Sequence, residues 1–255
     1  MILDIYKDSF VYSFKEPLAI FKLGVLSLLS FLVVPYFLYC GYYYRIVRIG
    51  VNGMINGDDP LPEFKNWEIL LIEGIKIFVV RLVYFIPVII VFTLGFVIFI
   101  LYSISSYHIG EVPDFPTMFI LFGVISISIL VWLILYLFSN VAIPHMINKE
   151  SFLSAFKINE IIAIIKSIGV YKYLQFYTGC MVILLGIIST TLLFLTLISL
   201  FFGLLLSSAL GPLAMAFSGI FIGITSSIIL FFILYPFFMI FEGRSIALMY
   251  NTREN

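Results

Sequence analysis

Five long apolar runs set the rhythm of this chain, at approximately Leu18–Tyr44, Gly74–Tyr102, Pro116–Ser139, Val170–Leu206 and Leu213–Phe241. A helix needs roughly 20 apolar residues to cross a hydrocarbon core of about 30 Å, because backbone groups in lipid must bond within their own segment. Each run meets that length. From Tyr173 to Phe241 there is no Asp, Glu, Lys or Arg, and Gly211-Pro212 is the strong break, read as a tight turn between two long helices. The pattern predicts an all-α integral membrane protein, one domain over residues 1–255 built as a bundle of five transmembrane helices. A sixth span concealed in the charge-free stretch is the alternative.

Polar residues concentrate in two connections. The longest, RIVRIGVNGMINGDDPLPEFKNWEIL, covers residues 45–70. After the Pro60 and Pro62 punctuation, Asn66 can cap a helix with Trp67, Leu70, Leu71, Ile75 and Phe78 on one face and Glu68, Glu73 and Lys76 opposite. The stretch Ser151–Ile168 repeats the plan, with Phe152, Phe156 and several Ile residues against Lys157, Glu160 and Lys166. Both are expected to lie in the headgroup layer as amphipathic helices, and Ile2–Phe14 is a candidate third.

Charge then sets the orientation. Lys and Arg cluster around residues 45–81 and 149–172 and at the C-terminus, while the other two connections hold none. Loops 45–73 and 145–169 and the C-terminus are therefore expected to be cytoplasmic in a multi-pass protein of the cell membrane. Five spans leave Lys7, Lys15 and Lys22, with the N-terminus, on the other side; a sixth span or a re-entrant first segment around Pro35 would move one terminus across. The N-terminus lacks a cationic start and a small-residue cleavage site, so it is expected to be retained. With 63% hydrophobic and 11% charged residues against about 25% charged in soluble domains, the chain cannot cover a water-facing surface. Zero formal net charge and no basic block argue against nucleic acid as a partner. Cys40 and Cys180 sit in apolar runs and read as packing residues.

Candidate chemistry is sparse. His108 and His145 fall on loops expected on opposite sides, and no Cys/His cluster supplies the ligands of a zinc site, so neither a metal nor a cofactor is expected. Ser105-Ser106 near His108 has no motif context for a nucleophile. Glu111 and Asp114 read as solvated turn residues. Arg45 and Arg48, at i and i+3, share one side of a helix, and with Arg81 and Arg244 they form a candidate pocket for an anionic lipid headgroup, because guanidinium forks match phosphate geometry. Glu73 and Glu242 are the candidate charge partners. The simpler reading is topology-setting arginines neutralised by Asp58, Asp59, Glu63 and Glu73. Gly219 and Gly223, a G-x-x-x-G, are a candidate helix-packing seam within the chain or, second, a face for a homo-oligomer. Pro35 before Arg45, Pro144 before Lys149 and Pro236 before Arg244 make a faint internal echo.

Gly41-Tyr42, the spaced Arg45 and Arg48, the Gly-rich connection, Leu61-Pro62-Glu63-Phe64, and Trp67 and Gly74 leading to Tyr84 and Pro87 resemble the uncharacterised membrane family called domain of unknown function 4013. The similarity is best over residues 1–100. It implies a polytopic, archaeal integral membrane protein and carries no catalytic residues to transfer. The residues themselves favour a non-enzymatic scaffold or accessory subunit that contacts membrane lipids and a protein partner at its cytoplasmic face. A transporter or lipid-handling protein is the runner-up, and a membrane enzyme ranks last because the spans hold so few acids, bases or ligands.

Overall fold

Helices account for nearly all of the computed structural model, which describes residues 1–106, 115–211 and 213–253. In chain order they are α1 (Ile2–Ser13), α2 (Pro17–Leu28), α3 (Val33–Asn52), α4 (Trp67–Ser106), α5 (Phe115–Asn148), α6 (Ile158–Ile168), α7 (Val170–Leu210), α8 (Leu213–Ile228) and α9 (Tyr235–Tyr250). Four stretches are long and apolar enough to cross a membrane: Trp67–Ile104, Pro116–Asn148, Val170–Leu205 and Ala216–Tyr250. The protein is thus an all-α membrane protein, as the hydropathy pattern predicts.

The first apolar run departs from that pattern. Leu18–Tyr44 is two helices, not one span. α2 starts on Pro17, whose missing amide is harmless at a helix start, and stops at Leu28. A turn follows, with Ser30 N bonding Ser27 O and Leu32 N bonding Leu29 O. Pro35 then falls in the first turn of α3, where its absent N–H and fixed φ are tolerated, so it sits at the start of a helix inside the run read as one span.

Two other expectations shift. In the first half of α4 the covered positions are Leu70, Glu73, Gly74, Ile77 and Val80, while Trp67 and Ile75 are exposed. Glu73 therefore points inward, because its pairing with Arg45 and Arg48 outweighs hydrophobic patterning. The Ser151–Ile168 stretch is a 3-10 turn at Phe152–Phe156 followed by α6, broken at Lys157 (φ −81°, ψ 79°). Near the other end, a π turn at Ile229–Leu234 joins α8 to α9 ahead of Pro236, absorbing the hydrogen bond that proline cannot make.

The chain divides into two compact units, Met1–Ile75 with Ile162–Asn255, and Lys76–Ile161. In the first, burial concentrates on the inner face of α1, on Tyr39–Val51 of α3, on Tyr173, Phe176 and Tyr177 of α7, and on almost all of α9. α7 beyond Val182 and most of α8 expose large apolar side chains. In the second unit, residues 139–147 of α5 are buried all round, whereas Phe119 through Ile134 are mostly exposed. At 1.5 Å per residue α7 is about 60 Å long, twice the hydrocarbon thickness. Its exposed apolar half matches lipid and its packed half makes the core.

Glycines set two helix crossings in the first unit. A methyl on Gly74 would strike the Phe37 carbonyl oxygen and one on Gly41 the Leu70 carbonyl oxygen, so α3 and the start of α4 touch backbone to backbone. A methyl on Gly243 would come within 3.0 Å of Ile46, and one on Gly50 within 2.6 Å of the Ala247 methyl, which brings α3 against α9.

Candidate functional site

Buried charge gathers at one end of the first unit. Arg244, on α9, is completely covered. Its Nε donates to Asp8 Oδ2 at 2.9 Å, its Nη2 to the Met54 carbonyl at 3.2 Å, and its Nη1 lies 2.8 Å from Asp59 Oδ2. The Tyr12 ring stacks on the guanidinium at 4.8 Å. The other oxygen of Asp8 accepts the Asn56 amide at 2.8 Å. Asp8 reaches this place because α1 turns Ile5, Asp8, Ser9, Tyr12 and Ser13 inward, a stripe at helical spacing.

A second cluster centres on Glu73, only 3% exposed. Arg45 Nε donates to its Oε2 at 2.8 Å, and Arg48 Nη2 pairs with its Oε1 at 2.9 Å. Arg45 Nη1 also donates to the carbonyls of Glu63 and Lys65, at 2.9 and 2.8 Å, and Nη2 reaches the Asn66 carbonyl. Arg48 lies 4.7 Å from the Tyr44 ring, and half of its side chain is exposed. Charge-assisted forks of this kind are the strong class of hydrogen bond.

Both clusters grip the connection between α3 and α4. Tyr12 donates to Pro60 O at 3.0 Å, Lys15 pairs with Asp58 at 2.7 Å and bonds Asp59 O, and Asn251 donates to the carbonyls of Gly50, Val51 and Gly53. Phe64 stacks on Tyr42 at 4.4 Å. Residues 53–66 lack regular structure, yet side chains from α1, α3 and α9 hold them along their length. The chemical capacity of Arg45 and Arg244 is thus directed at their own chain.

The expected headgroup set is split. Arg45 and Arg48 meet on Glu73, as the neutralising reading predicts; Arg244 belongs to the Asp8 cluster; Arg81 is half-buried in the other unit, and Glu242 is half-buried on α9. Asp8 was not among the expected partners. The polar stripe on α1 was the signal that pointed to it. Gly219 and Gly223 face open space, so the close approach of α7 to α8 falls elsewhere: a methyl on Gly203 would come within 3.1 Å of Ser218 Oγ, and Ser199 Oγ donates to Ser218 O at 2.8 Å. Beside it, Phe202, Phe217, Ile220, Phe221 and Ile224 line an apolar crevice of about 510 Å³.

In the second unit, buried His145 Nε2 lies 2.8 Å from Glu160 Oε2, and Lys157 donates to Glu160 Oε1 at 2.9 Å. Tyr84 OH donates to Ala155 O at 2.8 Å. Among the described residues no three His, Cys, Asp or Glu side chains are placed to hold a metal ion. His108, Glu111 and Asp114, and the side chains of Ser105 and Ser106, lie outside the described residues.

Lys15 holds the Asp58 carboxyl below its usual range, and Lys157 first, then His145, do the same for Glu160. A depressed carboxyl pKa stabilises the folded state above the unfolded value, and that contribution is lost as pH falls through the folded value. The unfolded values are about 4, so the thermal midpoint in detergent is expected to drop below about pH 4. The Asp58→Asn/Glu160→Gln double variant should show a shallower acid limb. Identical limbs would show that these pairs contribute nothing.

A family model described as Protein of unknown function (DUF4013) matches residues 26–198. That range includes Arg45, Arg48 and Glu73 and stops short of Asp8 and Arg244. No curated protein and no solved structure matches the chain.

Proposed function

We propose, from the premise that the chain belongs to the DUF4013 family, that it is a non-enzymatic scaffold or accessory subunit whose water-side surface docks a protein partner. One observation carries this reading: the connection 53–66 is held along its length by two ion clusters, one on buried Arg244 and one on buried Glu73, with Met54, Asp58, Glu63 and Lys65 left outward. A preordered surface binds with less conformational entropy to lose than a mobile loop. Arg45 and Arg244 act on their own backbone and leave the exposed rim to make contact.

A photo-crosslinking residue placed at Met54 or Lys65 tests the reading in native membranes. One discrete protein adduct in high yield is expected, either a different chain or a second copy. Adducts to lipid alone at both positions would overturn it.

The apolar crevice between α7 and α8 favours a second reading, a lipid-handling protein, since its volume falls in the range of small-molecule sites. The headgroup role of Arg45, Arg48, Arg81 and Arg244 belongs to that reading, and half-exposed Arg48 is its best-placed member. Native mass spectrometry separates the two: equal anionic lipid retention by the wild type and an Arg45/Arg48/Arg81 triple alanine variant would remove the headgroup site.

A further inference from the structure

The second half of α1 has its polarity inverted for a helix bathed in water. Its covered side carries Asp8, Ser9 and Ser13 beside Tyr12, while Phe10, Val11 and Phe14 are 44%, 56% and 55% exposed and the exposed charges Asp4 and Lys7 stay in the first half. A water-facing helix shows the opposite arrangement. The pattern continues through α2 and the bend after it, where Leu18, Phe21, Leu29, Phe31 and Val33 are exposed and Leu23, Gly24 and Ser27 are covered. So large an apolar surface is a liability in water and is matched in hydrocarbon.

Contacts with the last span give the depth of this surface. α3 and α9 run parallel: Tyr39 OH donates to Tyr235 O, Ile46 faces Gly243, Gly50 faces Ala247, and Asn251 bonds the end of α3. α2 meets the same span higher, with the Phe21 ring 5.2 Å from Phe232 and Gly24 against the Phe232 carbonyl. The bend at residues 29–32 therefore lies beyond Phe232, level with the exposed apolar half of the Ala216–Tyr250 stretch. α2 has 12 residues and rises about 18 Å, short of the roughly 30 Å of a bilayer core. It enters and the chain turns back.

The lower end is anchored to one face. Asp8 holds Arg244, Tyr12 holds Pro60, Lys15 holds Asp58, and the Lys22 ammonium lies 5.4 Å from the Phe64 ring. We infer that α1, α2 and the bend at 29–32 form a wedge set in the hydrocarbon of a single leaflet, and that the N-terminus lies on the same face as residues 53–66 and the C-terminus. The chain then crosses four times. Lys7, Lys15 and Lys22, which five spans would send across, then share a face with Lys65 and Arg253. The bias of cations toward the cytoplasm names the face. This topology is independent of what the protein docks.

Cysteine mapping in sealed, oriented vesicles tests it. In a Cys40→Ala/Cys180→Ala chain, Asp4→Cys and Arg253→Cys should react with a charged, impermeant maleimide from the same face only. Phe31→Cys should resist that reagent from both faces and react once the protein is denatured in sodium dodecyl sulfate, because a thiol in hydrocarbon forms no thiolate to attack the maleimide. Epitopes at the two termini of the otherwise unaltered chain give the same reading if the cysteine-free protein is unstable. Termini on opposite faces, or Phe31→Cys open to the charged reagent, would overturn the wedge.

Discussion

Arg244→Leu is expected to destabilise the protein in detergent by about 3–5 kcal/mol at neutral pH, because it strands charge where water cannot reach. Asp8 would keep only the Asn56 amide, Asp59 would lose its cation, and the Met54 carbonyl would lose its donor. Arg244→Lys should be intermediate, since an ammonium cannot reproduce the fork that reaches Asp8, Asp59 and Met54 together. Thermal unfolding of the three proteins at pH 7.5 checks this. A midpoint for Arg244→Leu equal to wild type at pH 7.5 would show that the cluster is not structural.

Gly74→Val should have an effect of similar size for a different reason. The Phe37 carbonyl and, at 2.9 Å, the Gly41 amide nitrogen occupy the space of any side chain at position 74. Backbone cannot move aside as a flexible side chain can, so α3 and α4 must separate, and the cost is about 3 kcal/mol or more. Separation would also pull Glu73 from Arg45 and Arg48. Gly123→Ala is the matched control, because a methyl there meets nothing within 4 Å and removes a helix-weakening glycine. Size-exclusion profiles and unfolding midpoints should show loss of the monodisperse peak for Gly74→Val and no loss for Gly123→Ala. Equal behaviour of the two would contradict the crossing.

The spans were legible in the sequence because hydropathy over 20 residues reports the solvent directly. The boundary at Leu29–Leu32 was not: every residue of that turn is Leu, Ser or Phe, as in a span, and the break comes from Pro35 and from contacts with Phe232 that lie 200 residues away in sequence. Face assignment failed for α4 in a related way. Patterning sends a carboxylate outward, and only its partners on α3 reveal that Glu73 is covered. Neutralisation of Arg45 and Arg48 by Glu73 could be anticipated from proximity in the chain, whereas the pairing of Asp8 with Arg244 joins the two ends and has no local signal beyond the stripe on α1. Gly219 and Gly223 have the spacing of a packing seam, and among the described residues a methyl on either meets nothing within 4 Å, which leaves the reading of a face for a second copy.

Buried Asp8 and Arg244 act on each other and hold the connection 53–66. A double-mutant cycle between Asp8 and Arg244, measured by reversible unfolding in mixed micelles with Asp8→Leu, Arg244→Leu and the pair, reads that directly. A coupling of about 2–3 kcal/mol is expected, with the double variant more stable than Arg244→Leu alone. Additive effects, with coupling below about 0.5 kcal/mol, would contradict it.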